Sequence, residues 1–221
     1  MAREREIDLL RNYPKIKRDP AARARGKTAQ DRELARKFGK DFFDGDRKNG
    51  YGGLKYDPKF WSPVCPDLIR HFHLSDSSSV LDVGCAKGYM LVDLLQAIPS
   101  LNVRGIDISE YAITNSHRDV RHLLEVADAQ DLPFADKSFD CVISINTVHN
   151  LDRDECGHAL KEIQRVAKNG AFVTVDAYRT AEEKERMHAW NLTAKTILSV
   201  DEWVKLFEEV GYEGDYFWFI P

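Results

Sequence analysis

The 221-residue sequence has no run of 18 apolar residues, and charges are spread through residues 1–19, where a signal peptide needs an apolar core. We therefore expect neither a membrane-spanning helix nor export through a signal peptide. Only four cysteines are present, widely spaced and without a CxxC pair, which does not fit a disulfide framework or a zinc site. These absences predict a cytoplasmic protein with free thiols and no bound metal.

The net charge of -4 conceals an uneven distribution. Residues 1–60 carry 17 Lys and Arg against 10 Asp and Glu, whereas the rest of the chain carries 15 against 26. A basic segment on an acidic body has two readings: it binds nucleic acid or another anion, or it packs on its own acidic body. We divide the chain into an N-terminal arm, residues 1–61, which forms a cap or lid, and a main domain, residues 62–221.

From residue 79 onward, short apolar segments alternate with amphipathic ones. The Val- and Ile-rich segments predict strands at 79–83, 102–107, 122–127, 139–145, 170–177 and 215–220. Helices are predicted between them at 87–98, 109–117, 153–168 and 200–210. This alternation predicts an α/β fold with a doubly wound, mostly parallel sheet.

The arm and one long connection give weaker patterns. Residues 1–27 are rich in charge and are expected to be loosely structured. Thr28 predicts the N-cap of a helix that continues to Phe43, and Pro63 predicts the first residue of another helix. Residues 179–199 form a connection long enough to contribute to a lid.

A glycine-containing turn, DVGCAKG at 82–88, comes after the first predicted strand. A dinucleotide-binding GxGxxG turn would need glycine at positions 84, 86 and 89, but the sequence has Gly84, Ala86 and Tyr89. That fingerprint is therefore absent. Asp82 instead precedes the first glycine by two residues, and an acid in this place would repel phosphate and attract an ammonium group.

Acids also stand after the next two predicted strands. Asp107 ends the second strand, where an acid accepts hydrogen bonds from both ribose hydroxyls in nucleotide-binding βαβ units. Asp128 and Ala129 come after the third strand, in a short turn suited to the edge of an adenine ring. Because open α/β sheets bind ligands beyond the carboxyl ends of their strands, we expect these residues to share one site.

The segments VLDVGCAKGY, GIDIS and VADAQDLPFADKSFDCVISINTVHNL resemble successive motifs of the class I S-adenosylmethionine-dependent methyltransferases. The closest similarity is to the ubiquinone- and menaquinone-biosynthesis type, which acts on small molecules. The resemblance covers residues 78–178. It implies a Rossmann-like sheet of seven strands, S-adenosylmethionine as the methyl donor and S-adenosylhomocysteine as the product.

The resemblance implies a role for each matching residue near the first two strands. Asp82 and the turn after it would hold the methionine end of the cofactor, through Gly84, Cys85, Ala86 and Gly88. Asp107 would hold the ribose, and Ile108 would pack on the adenine.

Further roles are implied near the next strands, together with two departures from the family. Asp128 and Ala129 would bind the adenine amino edge, and Asn146 would lie beneath the sulfonium. Ala86 stands where the family often has glycine, which is tolerable if its φ is negative. The family usually ends in two antiparallel strands, but only 215–220 is predicted here. Either the sheet has six strands or another element fills the seventh place.

The methyl acceptor is expected above the ends of the fourth and fifth strands. His149 is a candidate general base, or a loop histidine that bonds to the backbone. Asp176, Tyr178 and Arg179 are candidates for acceptor contacts, or a helix-capping or surface cluster.

The aromatic residues of the arm have two readings as well. Tyr51, Tyr56 and Trp61 could close over the sulfonium, because aromatic faces attract cations, or they could simply pack the arm in place.

Our leading hypothesis is in-line methyl transfer to an oxygen or nitrogen atom of a small metabolite, with an anionic or sugar-like acceptor fitting the basic arm. One alternative is an RNA methyltransferase that uses the arm, and another is a protein that binds the cofactor without turnover. The [DN]PP[YF] signature of base amino methylation is missing, since residues 146–149 read NTVH. Nucleic acid is therefore the less favoured partner, no membrane partner is expected, and a homodimer is kept open.

Overall fold

The computed structural model describes residues 5–15 and 28–220. Its helices, in chain order, are α1 Ala29–Ala35, α2 Lys40–Phe43, α3 Cys65–His71, α4 Tyr89–Ala97, α5 Glu110–Thr114, α6 Arg153–Val166, α7 Ala181–Trp190 and α8 Val200–Val210. Capping boxes open α1, α6, α7 and α8, which explains why these helices begin where they do. Within the described ranges, no helix has both the length and the apolar character to cross a bilayer.

The strands are β1 Ser79–Val83, β2 Asn102–Asp107, β3 Leu124–Val126, β4 Phe139–Ile145, β5 Ala167–Tyr178, β6 Leu198–Ser199 and β7 Asp215–Phe219. They form one seven-stranded sheet in the order β3-β2-β1-β4-β5, with β6 and β7 both beside β5. Every pairing between these strands is parallel. The predicted α/β fold with a mostly parallel sheet is confirmed.

The sheet separates two apolar cores. Because side chains alternate along a strand, each strand contributes to both. One side, which we call the α6 face, packs Leu81 and Val142 against α6 and α8. The other side, the α4 face, packs Val80 and Ile143 against α3 and α4. Residues of the arm pack on the α4 face too, so this side of the molecule is where the arm meets the main domain.

The N-terminal segment adds a bridge to the outer edge of β7. The amide of Ile7 donates to the carbonyl of Tyr216 at 2.9 Å, and the amide of Tyr216 donates to the carbonyl of Arg5 at 2.8 Å. The short β6 pairs with the last two residues of β5, while β7 pairs with Phe172 to Asp176. The expected shortfall of one strand is therefore resolved: β6 is the seventh strand, and residues 5–7 cover the edge that β7 would leave open.

Three predicted elements of the arm and connection differ in the structure. The helix expected from Thr28 to Phe43 is interrupted, because Phe38 has a φ of +48° and Gly39 is extended before the second helix begins. The helix expected to open at Pro63 begins instead at Cys65. The connection 179–199 contains α7, whose N-cap is Thr180.

Residues 1–27 were expected to be loosely structured, and the structure describes only residues 5–15 of this segment. The segment 5–15 is held against the main domain, since Leu9 is buried in the core on the α4 face. Residues 1–4 and 16–27 lie outside the described residues. Among the remaining predictions, the ranges of β1, β2, β4 and α8 coincide with the observed bounds, and the other strands and helices differ by a few residues at their ends.

Candidate functional site

The turn after β1 brings the backbone close to the loop after β4. Gly84 has a φ of +84°, and a Cβ built there would lie 2.0 Å from Oγ1 of Thr147. Gly88 has a φ of +74° and forms the N-cap of α4. Both positions need glycine, the first for space and the second for its backbone conformation. The two glycines therefore shape a concave turn at the carboxyl ends of β1 and β4.

Ala86 adopts a left-handed backbone conformation, with a φ of +49°. The expectation that alanine is tolerable here required a negative φ, and that condition is not met. A non-glycine residue in this region carries about 1–2 kcal/mol of strain. The strain is held in place partly by the amide of Ala86, which donates to Asp107 Oδ2 at 2.8 Å.

Asp107 joins the ends of β1 and β2. Besides accepting from Ala86, its carboxylate accepts from the amide of Ser109 at 2.8 Å. Only 8% of the residue is exposed, and burial raises the pKa of the carboxyl despite these two hydrogen bonds. The carboxylate has further lone pairs, so it can accept hydrogen bonds from a diol while holding the turn in place.

Asp82 lies on the same face of the sheet as Asp107, with only 5% of its surface exposed. Burial and the neighbouring Asp107 raise the pKa of Asp82 from 3.8 to about 8. No hydrogen-bond donor among the described residues reaches its carboxylate. Two buried acids with no cation between them favour a ligand that brings positive charge. These acceptors are the ones expected for an amino group at the methionine end of the proposed cofactor.

The ends of β2 and β3 present apolar surface. Ile108 is 57% exposed and Val126 is 50% exposed, which is unusual for side chains of this size. Ala129 is buried, whereas Asp128 is exposed and its Oδ1 accepts from the amide of Gln130 at 2.9 Å. These surfaces are compatible with a planar aromatic ligand, and the predicted adenine contacts of Ile108, Asp128 and Ala129 stay predictions.

Asn146 and His149 come after β4 but have different surroundings. Asn146 is exposed with a φ of +54°, and its Oδ1 accepts from Oγ1 of Thr174 at 3.0 Å. His149 is buried, and its Nδ1 accepts from the amide of Asp176 at 2.8 Å. Burial lowers the pKa of His149, which keeps the imidazole neutral. This environment favours the backbone-bonding role for His149 over the general base. Because Nδ1 accepts a hydrogen bond, the neutral ring carries its proton on Nε2 and has no free lone pair to take another.

The two residues Tyr178 and Arg179 are occupied by contacts at the edge of the sheet. The hydroxyl of Tyr178 donates to Glu202 of α8 at 3.3 Å. The guanidinium of Arg179 donates to Glu6 of the N-terminal segment at 2.7 Å. Both therefore hold neighbouring elements in this structure, which fits the alternative of a surface cluster, and their proposed acceptor contacts stay predictions.

The arm is fastened to the turn after β1. Lys87 donates to both carboxylate oxygens of Asp44 at 2.8 Å, and Tyr111 of α5 donates to the same carboxylate at 2.7 Å. The hydroxyl of Ser109, beside Asp107, donates to the carbonyl of Phe38. Lys87 had no predicted role; its position inside the glycine turn was the available signal.

A second attachment of the arm lies on the opposite side of the site. The guanidinium of Arg36 donates to the carbonyls of Thr193 and Ala194, both at 3.2 Å. The next two residues, Lys195 and Thr196, donate their amides to the carbonyl of His149. Residues 36–44 therefore connect the β2 side of the sheet with the loop after α7, across the carboxyl ends of the strands.

The three aromatic residues predicted to form a lid are packed differently from one another. Tyr51 is 47% exposed, and its ring stacks on Phe43 with centroids 5.9 Å apart. Tyr56 donates to Asp93 of α4, and Trp61 contacts Tyr13 with ring centroids 5.1 Å apart. Tyr56 and Trp61 thus fasten the arm to the α4 side, as in the packing alternative, and the lid contacts of all three stay predictions.

The four cysteines are buried and unpaired, as expected. Cys85 lies within the glycine turn, where burial and the two acids raise the pKa of its thiol well above the ordinary value. It is therefore a neutral side chain that fills space at the base of the turn. The described residues contain no cluster of three metal-binding side chains, and the absence of a metal stays a prediction.

Comparisons with known proteins agree with this geometry. Residues 81–175 match the profile of a methyltransferase domain. The demethylmenaquinone methyltransferase of Symbiobacterium thermophilum is 31% identical over 53% of this chain and 49% of its own length. The tRNA (carboxymethyluridine(34)-5-O)-methyltransferase of Arabidopsis thaliana is 34% identical over 59% of this chain and 31% of its own length.

A solved structure shows the same fold. It is the complex between the Trm112 methyltransferase activator of Haloferax volcanii and a methyltransferase, with a TM-score of 0.52 and 25% identity, covering 64% of this chain and 66% of that one. The chain spans 63%, 54% and 49% of the length of three curated relatives it matches. The family match runs from within β1 to within β5 and includes Asp82, the glycine turn and Asp107. These matches support a methyltransferase domain of the class I S-adenosylmethionine-dependent type over residues 81–175.

Proposed function

We propose that this chain transfers a methyl group from S-adenosylmethionine to an oxygen or nitrogen atom of a small molecule. The observation that carries the proposal is the pair of buried acids, Asp82 and Asp107, beside a glycine turn at the carboxyl ends of parallel strands. When bound, the cofactor supplies a methyl group already activated on a sulfonium. The protein then has to bind the cofactor and the acceptor, orient them for the transfer, and exclude water from the site.

The residues divide this work by position. Asp82 offsets the positive charge of the methionine amino group, and Asp107 accepts hydrogen bonds from the ribose hydroxyls. Ile108 contributes apolar surface to the adenine, and the backbone of Asn146 bounds the sulfonium side. The arm, held by Asp44, limits the access of water. Positioning of this kind supplies several kcal/mol of the barrier reduction in in-line displacements.

The cofactor is tested by calorimetric titration of the full chain with S-adenosylmethionine and S-adenosylhomocysteine. We expect saturable binding of both, with Asp107→Ala reducing the affinity at least about tenfold because hydrogen bonds to a charged group contribute about 1.5–3 kcal/mol. Asp154→Asn, an exposed acid in the first turn of α6, is the matched control and should bind as the parent does. Absence of binding in the parent chain would overturn the proposal.

RNA is the second candidate substrate, because one relative is named as a tRNA methyltransferase. The basic side chains of the arm give it little support where their partners are known. Arg11 donates to Asp67, Arg36 to the carbonyls of Thr193 and Ala194, and Arg47 to those of Gly50 and Tyr51. Because these basic side chains already have partners within the protein, the hypothesis of an anionic acceptor, which was based on the charge of the arm, is weakened too.

The two substrate classes are separated by tracing the methyl group. The full chain is incubated with methyl-labelled S-adenosylmethionine and either total tRNA or a tRNA-free metabolite extract. Label in the low-molecular-weight fraction supports the proposal. Label in tRNA that declines as salt is raised supports the second candidate, because phosphate contacts release counterions. Tight cofactor binding without label in either fraction would favour a non-catalytic cofactor-binding protein.

A further inference from the structure

A third acid stands on the same face of the sheet as Asp82 and Asp107. On β5, Phe172 packs in the core of the α4 face, and Thr174 is the next residue on that face. Thr174 donates to Asn146, at the end of β4. Asp176 is the following residue on the same face, roughly 7 Å further along the strand. It therefore lies beyond Asn146, on the side of the site away from Asp107.

The carboxylate of Asp176 is buried without a hydrogen-bond donor among the described residues. The residue is 7% exposed, and its side chain keeps 10% of its surface accessible. Its backbone is fully used, since its amide donates to Nδ1 of His149 and its carbonyl accepts from Nε1 of Trp203. The side chain alone is left for another partner. Buried carboxylates normally have such a partner, so the missing donor points to a ligand.

Neighbouring side chains do not supply the missing positive charge. Nδ1 of His149 lies 3.7 Å from Oδ1 of Asp176 but accepts a hydrogen bond from the amide, so its lone pair is already directed at this residue. The guanidinium of Arg179 is turned to Glu6. Burial accordingly raises the pKa of Asp176, with His149 opposing the shift. A cation or a strong hydrogen-bond donor on a ligand would offset the cost of burying the Asp176 carboxylate.

An aromatic residue stands beside the acid on the neighbouring strand, and a second aromatic ring packs on the first. Phe219 of β7 is the cross-strand partner of Asp176, about 4.8 Å away across a sheet. The ring of Trp190, at the end of α7, lies 6.0 Å from that of Phe219. Aromatic faces next to a carboxylate favour a protonated amine, which gains from the charge and from the rings together. An anionic group would be repelled here.

We propose that Asp176 binds the methyl acceptor directly and that the acceptor atom is the nitrogen of an amine. This proposal rests on the proposed function, since it takes the site beside Asn146 to be the place of methyl transfer. It narrows the oxygen or nitrogen acceptor to nitrogen and makes Asp176 the residue that selects it. The class of substrate is a small molecule with a protonated primary or secondary amino group.

With Asp176 in contact with the acceptor nitrogen, each proton in the transfer can be accounted for. The acceptor enters as an ammonium, and Asp176 takes one of its protons, which frees the nitrogen lone pair. The nitrogen forms a bond to the methyl carbon as the carbon–sulfur bond breaks, and the electron pair of that bond stays on sulfur. The products are the methylated ammonium, neutral-sulfur S-adenosylhomocysteine and one proton, which passes from Asp176 to solvent. A base in contact with the nitrogen contributes about 10²–10⁴-fold to such a step.

The test compares matched probes that differ only in the polar group. Benzyl, cyclohexyl and hexyl compounds, each as amine, alcohol and carboxylate, are titrated by ligand-observed NMR into the full chain saturated with S-adenosylhomocysteine. Amines are expected to bind at least about tenfold more tightly than the corresponding alcohols, the range of a charge-assisted hydrogen bond. Asp176→Asn should remove that preference and leave S-adenosylhomocysteine affinity unchanged. Asp201→Asn, an exposed acid of α8, is the matched control and should keep the preference.

The outcomes separate the two proposals. Equal binding of amines and alcohols in the S-adenosylhomocysteine-loaded chain, or an amine preference that survives Asp176→Asn, overturns the role of Asp176 and leaves the proposed function standing. Failure of S-adenosylhomocysteine to bind overturns the proposed function. In that case the same titrations without it still report whether Asp176 selects amines.

Discussion

The ammonium of Lys87 lies 2.8 Å from each carboxylate oxygen of Asp44 and 3.0 Å from the carbonyl of Leu54. The Lys87 side chain is 6% exposed and that of Asp44 is 27% exposed, so the pair is largely shielded from water. One partner belongs to the turn after β1 and the other to the arm. The conformation of the turn and the docking of the arm are thereby coupled.

Asp44→Asn is expected to destabilise the protein and weaken S-adenosylhomocysteine binding together. The substitution leaves the buried Lys87 without its counter-charge, which we expect to cost about 2 kcal/mol of unfolding free energy, less than for a fully buried pair. Chemical denaturation measures the stability and calorimetry the affinity. Asp41→Asn, an exposed acid of α2, serves as the control.

The double variant sharpens this prediction. Lys87→Met in the Asp44→Asn background should recover part of the lost stability, because removing both partners costs less than leaving one charge buried. Recovery of stability without recovery of affinity would show that the ion pair matters for the turn itself. Unchanged stability and affinity in Asp44→Asn would contradict the coupling.

Ala86→Gly is expected to stabilise the protein. Alanine at a φ of +49° carries strain that glycine does not, and this gain exceeds the extra entropy of glycine in the unfolded chain. We expect a net increase of about 0.5–1 kcal/mol in unfolding free energy. Thermal and denaturant unfolding measure it, and a loss of stability would contradict the strain assigned to this position.

Gly88→Ala is the converse substitution in the same turn. It places a side chain at a φ of +74°, with its Cβ 2.8 Å from methyl groups of Val120 and Leu124. Both strain and contact oppose it, so stability should fall by more than Ala86→Gly raises it. Opposite signs at two residues so close in sequence would show that each backbone position of the turn has its own conformational requirement.

The strands of the main domain could be predicted because each one is marked by the residue types within its own short segment. The bounds of β1, β2 and β4 coincide with the predicted ranges, and each strand is a segment of five to seven residues that contains Val or Ile and is followed by a turn or loop. Asp82 and Asp107 could be named as candidates for the same reason, since ligands of this fold class bind near strand ends, and their roles stay predictions. Residues at or directly after the end of a buried strand can therefore be proposed as site residues from the sequence.

Contacts between distant segments could not be predicted in this way. The pairing of Ile7 with Tyr216 and of Lys87 with Asp44 depends on where the arm docks, and no periodicity encodes that. The break after Phe38 is accompanied by a hydrogen bond to its carbonyl from Ser109, which lies 71 residues away. That the Asp176 carboxylate lacks a hydrogen-bond donor likewise depends on the residues packed around β5, which the sequence does not specify locally.

Cofactor binding is expected to release a proton through Asp82. The pKa of about 8 keeps this carboxyl largely protonated at neutral pH, with Asp107 and the neutral Cys85 beside it. An arriving ammonium requires the ionised form. Affinity for S-adenosylhomocysteine should therefore rise by up to about tenfold per unit as the pH increases from about 6 toward 8, and then level off. Calorimetry in buffers of different ionisation enthalpy measures the released proton.

Asp82→Asn tests the same group in two ways. The variant should bind S-adenosylhomocysteine more weakly than the parent, and its affinity should not depend on pH between about 6 and 8. The unliganded variant should also gain stability relative to the parent as the pH rises from 3.8 to about 8, because the unfolded carboxyl ionises while the buried one resists. A parallel pH dependence in parent and variant would assign the proton to another group.

Arg5 should contribute more to stability than a surface arginine. Its guanidinium donates to the carbonyls of Gly214 and Tyr212 at 2.9 and 2.6 Å and lies over the rings of Tyr212 and Tyr216. Arg5→Met is expected to lower the unfolding free energy by about 1–3 kcal/mol, since two carbonyls lose a charged donor. Arg5→Lys should rescue little, because a lysine cannot donate in the same planar geometry.

The control for Arg5 is Arg153→Met, which removes an exposed ion pair with Glu209 and should change stability by less than about 1 kcal/mol. Loss of the Arg5 contacts also loosens residues 5–7 from β7 and exposes its outer edge, which is open to pairing with another chain. Arg5→Met should therefore self-associate more than Arg153→Met at equal concentration, as measured by analytical ultracentrifugation. Equal stability and equal sedimentation of the two variants would show that β7 does not depend on the N-terminal segment.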